Sequence, residues 1–245
     1  ICNGDHQVEH PDAQRNQNDP CFNFLTPCIV RDMLERRRTR KAKGKGKGKG
    51  KGKGKERKQL SPLTGYEPVY RPERYNHNPL VRKTHNCWAY GMNVLDPEQL
   101  TQCDGGNRKG CDLLYHQPGG TKHLSNQLQV ASGRTCKTLR KLMRADIPDI
   151  KRTTFKARCP KEFSKIALVV HPGEDYHFYR QDADGWWSHK DGSNKVKRYD
   201  AKGQPILDPR AAARNYRPKG SFLNYTDFCG YYCVPRRRTI KLGRS

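Results

Sequence analysis

The stretch "KIALVVHPGEDYHFYRQDADGWWSHK", residues 165–190, decides the fold. Ile166, Ala167, Leu168, Val169 and Val170 form an unbroken apolar run, which is the pattern of a strand buried on both faces. Pro172-Gly173 ends that run with a turn. "DYHFYRQD" then alternates as a second strand, "ADG" makes a hairpin turn, and "WWSHK" is the return strand. Strands joined by such short turns pair antiparallel.

Upstream of these strands the pattern changes to helix. "CWAYGMNVL" follows Asn86, whose side chain suits an N-cap, so a helix is expected to start at Cys87. A second helix, "KTLRKLMRAD", is expected to begin near Thr135 with Leu139, Leu142 and Met143 on one face. Helices followed by an antiparallel set of strands give an α+β domain, placed at 80–235.

Before it, residues 61–79 carry Pro62, Pro68, Pro72 and Pro79 among Tyr66, Tyr70 and Tyr75. They are expected to form an extended strap across the domain, with the tyrosine rings buried and their hydroxyls in solvent. Residues 1–60 form an arm whose short apolar island, "CFNFLTPCIVRDML", is too small for a core. Within the arm, "KGKGKGKGKGKGK", residues 43–55, alternates the poorest ordinary helix former with like charges and predicts no structure in isolation.

Charge follows the same division. The chain carries a net charge of +25, and residues 36–58 hold fourteen Lys and Arg against Glu56 alone. Arg36, Arg37, Arg38, Arg40, Lys43, Lys45, Lys47, Lys49, Lys51, Lys53 and Lys55 are therefore the candidate polyanion- or partner-binding residues. Without interleaved aromatic residues they attract a polyanion by charge and read no sequence. "RRRTIKLGRS", residues 236–245, is expected to be a second basic end. No apolar run is long enough to span a bilayer, and the first thirty residues lack a basic-then-apolar signal pattern.

The cysteines supply the candidate chemistry. A thiol at a helix start is favoured as thiolate, so Cys87 is the candidate nucleophile. His177 on the second strand is the candidate base, and its orienting group is His189, Asp191 or Asp182. His189 is favoured because the hairpin brings it nearly opposite the "DYHFYR" strand. Cys229 with Cys233, and Cys103 with Cys111, offer an alternative zinc set, but the spacings depart from the usual two-residue knuckle. Neither zinc nor another cofactor is expected, and a disulfide within 103–111 suits that loop as well. The irregular spacing of the ten cysteines predicts mainly reduced thiols with one or two bridges. His116, His123 and His171 are scattered and are read as surface or hydrogen-bonded residues.

"NCWAY" resembles the nucleophile helix of papain-like cysteine peptidases, and a Cys on a leading helix before a His on a sheet is the order of the NlpC/P60 branch. The wider block "HNCWAYGMN … QPGG … CKTL … KIALVVHPGEDYHFYRQDADGWWSHKDGS … FCGYYCVPR" is similar to proteins of large DNA viruses of algae and amoebae. The resemblance covers about residues 65–236 and implies a papain-like fold with Cys87 and His177 at the dyad positions. Two functions stay open. One is a structural virion component, a minor or internal capsid protein tied by its basic arm to other capsid proteins or packaged DNA, located in the virion and in the infected host cell during assembly. The other is a thiol hydrolase, a cysteine peptidase or amidase, using the Cys87/His177 dyad. The long arm favours the structural reading.

Overall fold

A six-stranded antiparallel sheet organises the chain, in the order β1-β6-β2-β3-β4-β5. The structure, a computed structural model, describes residues 60–104, 115–237 and 240–243. The strands are β1 (Lys151–Thr153), β2 (Phe163–His171), β3 (Asp175–Gln181), β4 (Trp187–Lys190), β5 (Val196–Lys197) and β6 (Asp227–Pro235). The helices are α1 (Glu73–Asn76), α2 (Pro79–Thr84), α3 (Cys87–Met92), α4 (Pro97–Asp104) and α5 (Cys136–Asp146). This is the α+β arrangement of helices plus an antiparallel sheet that the sequence predicts.

The predicted strands appear where the pattern put them. β2 lies between β3 and β6, and Ile166 through Val170 are fully buried. Alternation sends Ile166, Leu168 and Val170 into a core shared with α3 and α5, where Trp88, Leu139, Leu142 and Phe178 pack. Ala167 and Val169 enter a second core on the opposite face, with Tyr179, Trp187, Ile206, Leu223 and Tyr231. The segment between β5 and β6 contributes Ile206, Leu223 and Tyr225 to this second core, so it acts as a third layer, irregular except for one 3-10 turn at Arg217–Lys219. Between β3 and β4, Asp182 N donates to Trp186 O at 2.8 Å, which leaves Ala183-Asp184-Gly185 as a three-residue hairpin loop, and Gly185 takes the φ of +87° that such a loop requires.

Both expected helix starts are capped. The Asn86 side chain accepts from the backbone N–H groups of Trp88 and Ala89 at 3.1 Å each, and Thr135 Oγ1 accepts from Thr138 at 3.2 Å. α3 stops at Met92 because Asn93 turns left-handed at φ 61°.

β6 carries a bulge that the sequence pattern hides. Leu168 pairs with Gly230 while Val169 pairs with Phe228, leaving Cys229 between them. The extra residue resets the alternation, so that Phe228 packs with the second core while Cys229 and Tyr232 both face the first. There Cys229 is bonded to Cys136 at the start of α5, and a second disulfide joins Cys159 to Cys233.

Two expectations need correction. The strap crosses the domain edge, where Thr64 Oγ1 donates to Phe163 O at 2.6 Å and Ala183 N donates to Pro68 O at 2.9 Å. The Tyr75 hydroxyl, however, donates to Val94 O at 3.2 Å and is not solvated. The expected basic end also begins inside the fold. Arg236 donates to Ser164 Oγ, Met92 O and Gly91 O at 2.6, 2.7 and 2.9 Å, closing the C-terminal carbonyls of α3. Burial lowers its pKa to about 9. Beyond it Ile240 is buried in the first core.

Candidate functional site

The β3–β4 hairpin gathers a cluster of ionisable groups through its register alone. Tyr179 pairs with His189, so the same register two steps on sets position 191 opposite His177. β5 then pairs Lys197 with His189. Residues two apart share a face, which puts His177, His189, Asp191 and Lys197 together on the side of the second core.

The resulting geometry is a triangle. His177 Nε2 lies 2.9 Å from His189 Nδ1, His189 Nδ1 lies 2.9 Å from Asp191 Oδ1, and Asp191 Oδ1 lies 3.1 Å from His177 Nε2. The far nitrogen of His189, Nε2, is 3.0 Å from Tyr199 O. A carbonyl only accepts, so Nε2 carries hydrogen. Lys197 Nζ holds the other Asp191 oxygen, Oδ2, at 2.5 Å. Both histidines are buried, whereas the Asp191 side chain keeps 18% exposure and opens the cluster to solvent on that side. The rings of Tyr179 and Tyr225 stand 5.2 and 5.6 Å from His177 and wall the cluster.

The environment fixes the charges. Burial lowers the His177 pKa to about 3 against the pull of Asp191, so the ring is neutral at ordinary pH. Burial pushes the Asp191 carboxyl up, but the Lys197 ammonium beside it leads the groups that outweigh burial and hold the carboxyl well below its ordinary value. Elsewhere, burial lowers His85 to about 4 from 6.5 and raises Asp175 to about 7.

A pH dependence follows. Below pH 6.5 the unfolded chain protonates both His85 and His177 while the folded chain resists until about pH 4 and pH 3. Unfolding therefore takes up protons, and stability falls as pH drops through that window. Asp175 and Asp146, both raised by burial, act in the opposite sense because they keep a proton when folded, but His171 is lowered by burial like the other two histidines, so three groups act against two. The expected result is a melting temperature that falls between pH 6.5 and pH 4; a flat or rising profile contradicts it.

Cys87 lies elsewhere. It packs in the first core with Trp88, Tyr176 and Phe178, its Sγ 4.0 Å from Tyr176 O. His177 points to the opposite face of β3, against Tyr179 and His189. The two predicted dyad members are thus held on opposite sides of the sheet, and Cys87 is itself in a disulfide. A sulfur so bonded offers no thiolate. Of the predicted catalytic residues, the fold unites His177 with His189 and separates both from Cys87. Asp182, another predicted orienting group, instead bonds Arg180 and Arg198.

The expectation of mainly reduced thiols is also corrected. All six cysteines among the described residues, Cys87, Cys103, Cys136, Cys159, Cys229 and Cys233, are in disulfides. Cys229 and Cys233 each have a different partner, so they do not form a zinc knuckle. The arm residues from Arg36 to Lys55 and Cys111 lie outside the described residues.

A second feature is a basic groove beside α5. Lys137, Arg140, Lys141 and Arg144 recur at the helix spacing opposite the buried Leu139, Leu142 and Met143. With Arg152 of β1 they line a groove of about 550 Å³, floored by Met143, Ile150 and Tyr232. Its lining contains no carboxylate. Burial raises the Tyr232 pKa, against the opposing pull of the Arg140 and Arg152 charges. In the sequence this helix stands out by its apolar face. The lysine and arginine spacing was the signal for the groove.

No family model and no solved structure matches the chain. Insoluble matrix shell protein 1 of Ruditapes philippinarum is 33% identical to it over 170 residues, which cover 69% of this chain and 92% of that protein. The chain belongs to the insoluble matrix shell protein 1 family. This membership corrects the expected location: the relative is named for a shell matrix, not for a virus particle, so the virion and the infected host cell are set aside.

Proposed function

We propose that the protein is a secreted structural component of an insoluble extracellular matrix, held there by acidic polymers. The observation that carries this reading is the α5 groove, where Lys137, Arg140, Lys141, Arg144 and Arg152 gather with no carboxylate among the lining residues. Clustered cations with no carboxylate among them attract a polyanion and gain from releasing its counterions. The arm adds charge of the same sign from Arg36 to Lys55. The name of the relative supplies the setting, and the disulfides suit it. The helix-before-sheet order is compatible with the papain-like, NlpC/P60-type scaffold that the sequence resembles, used here as a frame without a thiol nucleophile.

The test is binding of the full chain to a sulfated polysaccharide, heparin, and separately to polyglutamate. Replacing Lys137, Arg140, Lys141 and Arg144 together by alanine should weaken binding by about 10-fold or more at low salt and flatten its salt dependence. A parallel variant with the seven lysines from Lys43 to Lys55 changed to glutamine measures the share of the arm. Preference for heparin identifies sulfate esters as the ligand, and preference for polyglutamate identifies carboxylates. Unchanged affinity of the groove variant for both polymers removes the proposal.

A further inference from the structure

We propose that His177, His189 and Asp191 form a binding site for one first-row divalent cation, with zinc as the reference ion. The case rests on a mismatch that protons cannot repair. Each corner of the triangle is a single atom, and at each nitrogen the in-plane position holds either a hydrogen or a lone pair. An ionised carboxylate oxygen can only accept. A hydrogen bond needs one donor and one acceptor, and three mutually adjacent atoms cannot be divided into two kinds without leaving one like pair. Yet all three edges, at 2.9, 2.9 and 3.1 Å, are of hydrogen-bonding length. If His189 Nδ1 is bare, it faces Asp191 Oδ1 lone pair to lone pair. If it is protonated, it either faces a second N–H on His177 or leaves the His177 lone pair facing the carboxylate.

A cation removes the conflict, because all three corners then act as lone-pair donors to the same centre. The dimensions suit it. An ion about 2.1 Å from each corner of a triangle with edges near 3 Å subtends roughly 90° between ligand pairs, the facial arrangement of two histidines and a carboxylate. The outer contacts are those of an oriented ligand set. Tyr199 O takes the Nε2 hydrogen of His189 and leaves Nδ1 bare, while Lys197 occupies Oδ2 and leaves Oδ1 to the triangle. Two imidazoles with one carboxylate favour zinc, cobalt, iron or copper over calcium, which takes oxygen ligands. Among the described residues this is the group of His, Cys, Asp and Glu close enough to share an ion. Three protein ligands leave further coordination positions for water or a partner group on the open side of Asp191.

The probe is Co²⁺, titrated into the untagged full chain at neutral pH and followed by its visible absorption and by calorimetry. The expected result is one tight equivalent that zinc displaces and a large excess of Ca²⁺ does not. His189→Ala and Asp191→Asn should each weaken that equivalent by more than about 10-fold, a loss already typical when only an outer-shell partner of a metal ligand is removed. His123→Ala, at an exposed position, should leave it unchanged. Should the site variants fail to fold, X-ray absorption of the wild-type Co²⁺ complex decides, with two imidazole nitrogens expected in the first shell. Absence of a tight equivalent, equal affinity in the folded variants, or a first shell without imidazole overturns the proposal.

Discussion

Replacing Cys159 and Cys233 together by alanine is expected to lower the unfolding free energy by about 3–4 kcal/mol, the chain-entropy value for the ring of roughly 30 residues that the bond closes while Cys136–Cys229 is intact. The bond spans 74 residues and ties the segment before β2 to β6, so without it the unfolded chain regains a long loop. Cys136–Cys229 spans 93 residues, with a similar expected loss. The measurement is chemical denaturation of each double variant beside the wild type. A loss below about 1 kcal/mol for both pairs would mean that the unfolded state is not opened by their removal.

Leu168→Asp is expected to abolish cooperative folding. Leu168 sits fully buried in the central strand, and the core on its face is formed by apolar side chains such as Trp88, Leu142 and Phe178. An unpaired carboxylate there costs several kcal/mol beyond the lost packing, a large share of a typical stability of about 5–15 kcal/mol. Far-UV circular dichroism and a thermal melt read the outcome. A soluble variant that melts cooperatively near the wild-type temperature contradicts the placement of β2.

The parts of the fold set by local pattern were legible in advance. β2 and β3 follow from apolar continuity and alternation, and the starts of α3 and α5 follow from Asn86 and Thr135 as caps. The parts set by tertiary pairing were not. β6 reads as cysteines and tyrosines that suit metal ligation, and its bulge at Cys229 reverses the alternation that would have identified its two faces. Arg236 reads as the start of a solvated tail, because nothing local tells that Gly91 and Met92 offer it unpaired helix-end carbonyls.

The candidate site divides the same way. His177 and His189 were found because one hairpin register links them. Asp191 is a weaker orienting candidate in the sequence than His189, although the same register places it opposite His177. Cys87 misled for a specific reason: a helix N-terminus favours a thiolate only when the sulfur is reduced, and a dyad needs that sulfur on the face of its base. Sequence spacing reports neither condition. The viral resemblance drew the location toward a virion, and the shell matrix relative replaced it.

A structural matrix protein and a thiol hydrolase differ most directly in the state of Cys87. The native protein is denatured without reductant, treated with iodoacetamide and mapped by mass spectrometry. The account predicts no adduct on Cys87, Cys103, Cys136, Cys159, Cys229 or Cys233, with Cys136 linked to Cys229 and Cys159 linked to Cys233. Stoichiometric alkylation of Cys87 would contradict it and return the thiol hydrolase to consideration.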